Sequence, residues 1–216
     1  MRKYSTPLGE LKIEPLGHGS VRFVINGKKI YVDPYSEAHN YEDDAPADLI
    51  LITHNHYDHF DENAISEIET PETLFLVGSD VPVMDDRFKT LLNCDSYFWE
   101  GIHIKAVEAF NIKHKKPDGS PFHPQGVGNG YLLDFGGFTV YVAGDTEPIP
   151  YMHNLKGVDV AFLPKNLPYT MDDDEFIEAA NIVAPKWLYP YHFFELDAEK
   201  LRGRLAEGIT LVTPDE

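Results

Sequence analysis

The chain has 216 residues, 43% hydrophobic and 25% charged, which suits one globular domain over residues 1–216. Its formal net charge of −18 opposes sequence-independent binding to nucleic acid, which depends on clustered lysine and arginine. There is no apolar run of the roughly 20 residues that cross a bilayer, no signal-peptide pattern near Met1, and only one cysteine, Cys94, so no intrachain disulfide. We therefore expect a cytoplasmic protein with a small-molecule substrate, no nucleic-acid partner and no membrane partner. The oligomeric state stays open.

The first half of the chain has the pattern of hairpins followed by alternating strands and helices. Asn26-Gly27 is a strong signal for a tight hairpin turn. Residues 48–52 are mostly apolar and predict a strand buried on both faces. In chain order, strands are predicted at residues 11–16, 21–25, 29–32, 48–52 and 73–77, and a helix at residues 62–68.

The second half repeats this pattern around the turn Gly136-Gly137. Strands are predicted at residues 102–107, 131–135, 138–142, 158–163 and 187–190, and helices at residues 172–183 and 196–205. Hairpins followed by alternating strands and helices indicate two sheets with helices outside them.

The clearest chemical signal is the run THNHYDH at residues 53–59, directly after the predicted buried strand. Three imidazoles and a carboxylate at a strand end need partners or a metal ion to offset their desolvation. Neutral imidazole nitrogen and carboxylate oxygen are ligands that suit zinc and similar divalent ions. His54 and His56 point to the same side of an extended backbone. A turn after them would let Asp58 and His59 face a second ion.

Two further candidates lie at the ends of later strands. Asp145, in the turn Gly144-Asp145-Thr146, follows the second hairpin, where its carboxylate could bridge two ions. Taken alone, such a turn is more often a plain turn with a helix cap. His192 follows the last apolar strand, although a lone histidine beside aromatic residues is usually packed in the core. Both assignments depend on the histidine motif upstream.

The run His-x-His-x-Asp-His, a later Gly-Asp-Thr turn and a late histidine at a strand end, in this order, resemble the metallo-β-lactamase superfamily. Further motifs look like its ascorbate-6-phosphate-lactonase-like branch of metal-dependent hydrolases. These motifs are GHGS at 17–20, DP at 33–34, FHP at 122–124 and GNGY at 128–131. The resemblance covers nearly the whole chain. It implies an α/β (α+β) fold, a four-layer αββα sandwich with the site at one edge of its two sheets.

The resemblance also implies a role for each candidate residue. The implied ligands are His54 and His56 for a first ion, Asp58, His59 and His192 for a second, and Asp145 as a bridge. The ions would be zinc, one or two per chain, with manganese or iron as alternatives. Asp58 and Asp145 would be the catalytic carboxylates, Asp58 being the nearest one that can orient an attacking water.

One position departs from the superfamily's pattern. Its third histidine for the first ion usually lies on the loop after the strand that corresponds to residues 102–107, where this chain has Asn111. An amide is a poor zinc ligand, so His114 and His123 are the candidate replacements. His114 lies among lysines, which disfavour a metal ion, and we therefore favour His123. If neither histidine reaches the ion, the first site has His54, His56 and Asp145 alone and binds weakly.

Three residues are candidates for contact with a substrate. His18 lies in a glycine-flanked turn, where backbone can approach closely. It is expected either to hydrogen-bond to a metal ligand or to contact the substrate. Lys165 and Asn166 follow the strand predicted at residues 158–163 and would lie at the rim of the site. They could engage an anionic or carbonyl group there, and a plain polar loop is equally compatible with the sequence.

Together these features predict an enzyme, a metal-dependent hydrolase that uses a metal-activated water on a small ester, lactone, amide or phosphodiester. Cleavage of RNA is a second reading, which the net charge of −18 disfavours. A third is a non-catalytic metal-binding or sensing protein on the same fold, favoured only by Asn111. A redox diiron role also suits the ligand set.

Overall fold

The computed structural model describes residues 1–213, which form two mixed sheets of seven strands each. The first sheet keeps the chain order: β1 (Arg2–Thr6), β2 (Gly9–Gly17), β3 (Ser20–Ile25), β4 (Lys28–Val32), β5 (Leu49–Ile52), β6 (Leu74–Val77) and β7 (Phe88–Thr90). The second sheet consists, from edge to edge, of β14 (Thr210–Leu211), β13 (Trp187–Tyr191), β12 (Val160–Pro164), β11 (Thr139–Val142), β10 (Asn129–Asp134), β9 (Ile102–Glu108) and β8 (Ser96–Trp99).

Helices occupy the outer faces of both sheets. They are α1 (Glu62–Ile68), α2 (Asp173–Val183), α3 (Ala198–Arg202) and a 3₁₀ helix (Pro150–Leu155). Asp61 and Asp172 are the N-cap residues of α1 and α2. Their carboxylates accept hydrogen bonds from backbone N–H groups of the first turn. No helix within residues 1–213 is long and apolar enough to cross a membrane.

The alternation of side chains along the strands separates the layers. In β5, Leu49 and Leu51 belong to the core between the two sheets, whereas Ile50 and Ile52 pack with Ile65 of α1 on the outer face. A strand with apolar residues on both faces is therefore buried on both sides, as residues 48–52 predicted.

The second sheet is built in the same way. In β12, Val160 and Phe162 face the core between the sheets, and Ala161 and Leu163 pack outward with Phe176 of α2. The resulting order of layers is helix, sheet, sheet, helix. The predicted αββα sandwich is confirmed.

The predicted strands and helices are confirmed to within a few residues, except that the closing helix is shorter than predicted. It was expected over residues 196–205 and covers Ala198–Arg202. The Asp197 side chain accepts a hydrogen bond from the backbone N–H of Lys200 and thereby fixes the start. The sequence did not predict β1, β7, β8 and β14, which are the four edge strands of the two sheets.

A hydrogen bond between the sheets joins the core to the site. The buried Tyr131 hydroxyl on β10 lies 2.8 Å from the carbonyl oxygen of Ile52 at the end of β5, and 3.2 Å from that of Leu76. The end of β5 is the point from which the histidine motif starts.

Tyr131→Phe should lower the free energy of unfolding by about 1–2 kcal/mol, because it removes a buried hydrogen bond without creating a large cavity. Urea denaturation followed by circular dichroism measures the change. Tyr97→Phe is the matched control, since that half-buried ring packs against the same core and its hydroxyl has no hydrogen-bond partner within residues 1–213. Equal effects of both substitutions would contradict a specific role for the Tyr131 hydroxyl.

Candidate metal centre

Loops that follow three strands meet at one edge of the two sheets. The loop after β5 carries His54, His56, Asp58 and His59, the turn after β11 carries Asp145, and His192 follows β13. The backbone N–H of Asn129, at the start of β10, donates to the carbonyl oxygen of Thr53. The turn at Gly144 packs closely against the backbone of Asn129. Glycine is needed there, because a Cβ would lie 2.6 Å from the Asn129 carbonyl oxygen and because the φ of +66° is left-handed.

The first group of potential ligands contains His54, His56 and His123, whose ring nitrogens lie within 4.8 Å of one another. His54 Nε2 is 3.0 Å from His56 Nδ1. His54 and His123 are buried, and His56 is half-buried. The structure thus brings His123 to the histidine pair, as the sequence favoured.

The second group contains His18, Asp58, His59 and His192, again with potential ligand atoms within 4.8 Å. His59 Nε2 is 3.1 Å from His192 Nε2, and Asp58 Oδ2 is 3.4 Å from the same His192 nitrogen. His18 Nε2 lies 2.9 Å from Asp58 Oδ2. Of the two roles expected for His18, the hydrogen bond to Asp58 is present.

Asp145 lies between the two groups. Its Oδ2 is 3.3 Å from His123 Nε2 and 3.5 Å from His192 Nε2, and its Oδ1 is 3.6 Å from His59 Nε2. The carboxylate can therefore contact ions held by either group.

A buried carboxylate fixes the orientation of two histidines. Asp33, fully buried after β4, accepts hydrogen bonds from the Thr53 backbone N–H, the Thr53 hydroxyl (2.6 Å) and His59 Nδ1 (2.8 Å). Because the Thr53 hydroxyl proton goes to Asp33, its oxygen accepts from His54 Nδ1 at 2.9 Å. Both rings therefore carry a proton on Nδ1 and turn Nε2 toward the cluster.

An amide has the same effect on His123. Asn111 Oδ1 accepts from the backbone N–H of His123 and from its Nδ1 at 2.7 Å. The orientation of this amide is fixed, because its Nδ2 donates to Glu147 Oε1 at 2.9 Å and to the carbonyl oxygen of Tyr169. His123 Nε2 is thus also left with a free lone pair.

Glu147 organises the loop on which Asn111 lies. Its buried carboxylate accepts from the backbone N–H groups of Ile112, Lys113 and His114. The sequence analysis did not single out Glu147. Its signal was available only in hindsight, as an acidic residue two positions after Asp145 and directly before the apolar residues 148–150.

Burial lowers the pKa of His54, of His56 and of His123, the last to about 4. The ligands of the first group are therefore neutral imidazoles, the form that binds a metal ion. In the second group, burial alone would raise the pKa of Asp58, but hydrogen bonds from His18 and His192 outweigh it and lower that pKa.

The remaining charges favour a cation at the cluster. Burial would raise the pKa of Asp145, but the neighbouring His192 and His59 hold it well below its usual range. Burial would lower the pKa of His59, yet Asp145 and Asp33 raise it well above the usual value. Buried carboxylates of this kind stay ionised only beside positive charge.

Five buried side-chain atoms have no hydrogen-bond partner in the part of the chain that the structure describes, and two of them, His123 Nε2 and Asp145 Oδ1, belong to the proposed ligands. Such orphaned polar atoms are costly unless an ion satisfies them. Zinc–nitrogen bonds of about 2.0–2.1 Å in a tetrahedral site place ligand atoms roughly 3.3 Å apart. The separations of 3.0 and 3.1 Å between ring nitrogens are close to that value. The residues thus fit divalent ions.

The other candidates lie outside the cluster. His114 Nε2 is 2.7 Å from Glu175 Oε2 and belongs to no group of potential ligands among the described residues. The Asn166 amide contacts His192 Nδ1 at 3.0 Å. The Lys165 ammonium is paired with Asp173 at 2.8 Å and faces a neighbouring cavity.

Three of the seven non-glycine residues with positive φ in residues 1–213 lie at the site. They are His18, Asp33 and His192, with φ angles of +48°, +44° and +52°, a left-handed conformation that is uncommon outside glycine. The His192 backbone N–H donates to the carbonyl oxygen of His18 at 2.7 Å. Strained backbone of this kind marks functional sites.

A cavity of about 630 Å³ opens over the cluster. Residues of both groups line it, among them His56, His123, Asp58 and His192, together with Asp145. A ligand in this cavity can therefore reach both groups.

The comparisons with known proteins agree with this geometry. Residues 12–192 match the β-lactamase superfamily domain. A UPF0173 metal-dependent hydrolase of Pyrococcus abyssi is 30% identical over 198 residues, which cover 85% of this chain and 84% of that protein. The crystal structure of a protein from Parabacteroides distasonis, described as a metal-dependent hydrolase, is 37% identical, with a TM-score of 0.87 over 98% of this chain and 96% of the other.

A more distant structure shares the fold alone. Igni18, a metallo hydrolase from Ignicoccus hospitalis, is 20% identical with a TM-score of 0.70 over 94% of this chain and 95% of the other. The finer resemblance to the ascorbate-6-phosphate-lactonase-like branch stays a prediction. The chain belongs to the β-lactamase superfamily, as the sequence predicted, and its relatives place it among the metal-dependent hydrolases of that superfamily.

Proposed function

We propose that this protein hydrolyses a small ester, lactone, amide or phosphodiester with one or two divalent ions. Zinc is the preferred candidate for these ions, and manganese and iron are the alternatives. The proposed ligands are His54, His56 and His123 for one ion, Asp58, His59 and His192 for the other, and Asp145 for both. The observation that carries the proposal is the fixed orientation of three buried histidines, each with Nδ1 tethered and Nε2 directed at the cluster. Histidines that only fill a core do not need their Nε2 atoms to point toward one another.

When bound, a divalent ion lowers the pKa of water to about 7 and so supplies a hydroxide nucleophile at neutral pH. Asp58, partly open to the cavity, orients the attacking water, and its hydrogen bond from His18 holds the carboxylate in place. The water oxygen forms a bond to the carbonyl or phosphoryl centre, the bond to the leaving group breaks, and the proton passes to that group. Asp145 keeps the two halves of the site at a fixed spacing.

A small substrate agrees with the size of the cavity, since about 630 Å³ is within the range of small-molecule pockets. Cleavage of RNA fits less well, because the net charge is −18 and no lysine or arginine is among the described residues that line the cavity. The two sheets share one core, which supports the single domain predicted for residues 1–216.

The alternative of a passive metal-binding or sensing protein rested on Asn111. In the structure this residue orients His123 through a 2.7 Å hydrogen bond. The departure from the superfamily's pattern therefore supports the proposed first site. It no longer favours a passive metal-binding protein.

We expect protein purified mildly in metal-supplemented buffer to contain between one and two divalent ions per chain, because the ligands form two groups joined by Asp145. Elemental analysis measures the content. Chelation should lower both the metal content and the thermal stability, since buried carboxylates and orphaned nitrogens lose their partner. A preparation that stays metal-free under these conditions would refute the proposal.

His123→Ala should reduce metal content and activity far more than His114→Ala. His123 Nε2 faces the first group, whereas the half-buried His114 is paired with Glu175 outside the cluster. Metal content per folded chain, with circular dichroism as the control for folding, distinguishes the two variants. Small and equal effects would show that His54, His56 and Asp145 suffice for the first ion.

Asp145→Asn keeps the volume of the side chain and removes the charge shared by the two groups. Turnover should fall about 100-fold or more, roughly 2.7 kcal/mol of transition-state stabilisation, while the fold persists. Steady-state kinetics on an ester or phosphodiester found by screening measures the loss. Near-normal turnover in a folded, metal-loaded variant would exclude a mechanism that depends on a bridging carboxylate.

A further inference from the structure

Apart from the proposed metal ligands, the wall of the cavity over the metal centre carries one acidic residue, Glu37. None of the described residues that line the cavity is lysine or arginine. Glu37 lies at the rim, away from the proposed ligands, and accepts a hydrogen bond from the Tyr35 hydroxyl at 2.7 Å. An anion on the substrate, outside the reach of the metal ions, would therefore meet repulsion and no compensating cation.

The lysines nearest to this cavity do not line it. Lys165 and Lys200 line the adjoining cavity, and both ammonium groups are paired with Asp173 at 2.8 and 2.6 Å. Lys116 does not line the cavity over the cluster. These lysines therefore place no positive charge on the wall of that cavity.

Aromatic rings supply most of the remaining wall. Tyr35 and Tyr57 form an edge-to-face pair with ring centroids 6.1 Å apart, and Phe122 and Tyr169 form another at 5.1 Å. Tyr57 and Phe194 are 78% and 77% exposed, although both line the cavity. Large aromatic side chains that remain open to solvent around a cavity indicate contact with an apolar ligand.

We propose that this cavity selects esters, lactones or amides whose body, away from the reacting bond, is apolar and carries no negative charge. The inference rests on the proposed hydrolytic function and narrows its substrate class, because it excludes phosphorylated and carboxylated compounds. The apolar body lies against the aromatic rings at the mouth, and the reacting bond reaches the histidine cluster below. A positive charge on the body is tolerated, since tyrosine faces and Glu37 attract cations.

Three aryl acetates test this selection on the full-length, metal-loaded protein. They carry an ethyl, a trimethylammoniomethyl or a sulfonatomethyl group in the para position. A sulfonate is used because a carboxylate or phosphate could itself bind the metal ions. Each kcat/KM is divided by the rate of alkaline hydrolysis of the same ester. The ethyl and ammonium esters should exceed the sulfonate ester about tenfold or more.

Binding of the corresponding phenols, followed by saturation-transfer NMR, supplies a readout that does not depend on turnover. 4-Ethylphenol should bind and the sulfonate should not. If no ester is hydrolysed but this difference in binding is present, the ester part of the proposed function fails and the inference on the cavity stands. If the sulfonate ester is hydrolysed as well as the neutral one, or no phenol binds at millimolar concentration, the inference is overturned.

Matched variants locate the effect at the rim. Glu37→Lys should raise the relative rate of the sulfonate ester several-fold, whereas Glu67→Lys, the same change in charge on the exposed face of α1, should not. Tyr57→Ala should raise KM for the ethyl ester, whereas Phe98→Ala, an equally exposed ring on β8, should leave it unchanged. Identical effects within either pair would show that the rim residues do not select the substrate.

Discussion

The site depends on one buried carboxylate, that of Asp33. It is fully buried at the end of β4 and binds the loop after β5 through the backbone and the hydroxyl of Thr53. Through that hydroxyl and through His59 Nδ1 it sets the orientation of two histidines in different groups. Because an ionised group without solvent needs every available donor, these contacts hold the loop in one conformation. The histidine motif is thus presented by a network of protein groups that uses Nδ1 of both rings and leaves their Nε2 atoms facing the cluster.

The same network concentrates negative charge, and the histidines alone do not neutralise it. Asp33, Asp58 and Asp145 surround His59, whose pKa is raised although burial opposes the charged form. A raised pKa means that the neighbouring carboxylates favour a proton on the His59 ring. In the proposed function, divalent cations supply the positive charge in place of that proton. A cation there offsets the desolvation of the carboxylates, and its charge is the one that polarises a substrate. Stability of the folded loop and chemistry at the site therefore have a common electrostatic origin.

Sequence patterns predicted most of the fold because central strands are apolar on both faces, as residues 48–52 are. The four edge strands were missed, since an edge strand pairs on one side only and tolerates polar residues, as in Arg2–Thr6. At the site, spacing and residue type indicated the groups that meet at the strand ends. The contribution of Glu147 could not be predicted, because it acts on backbone N–H groups of a loop more than 30 residues earlier in the chain.

Asn111 shows why a departure from a family's pattern needs the structure for its interpretation. As a ligand it would be poor, and from sequence alone it weakened the case for an enzyme. In the structure its amide is held by Glu147 and accepts from His123 Nδ1, so that a histidine 12 positions later reaches the cluster. Under the proposed function, Asn111 and His123 together perform the task of one loop histidine. The Asn111 amide is held by Glu147 through Nδ2 and holds the His123 ring through Oδ1. It thereby sets the ring orientation that a histidine on the loop itself would have through its own backbone. The hydrogen bond from His123 Nδ1 to Asn111 has a use if His123 Nε2 binds an ion. A protein that has the fold without a metal site would not need it.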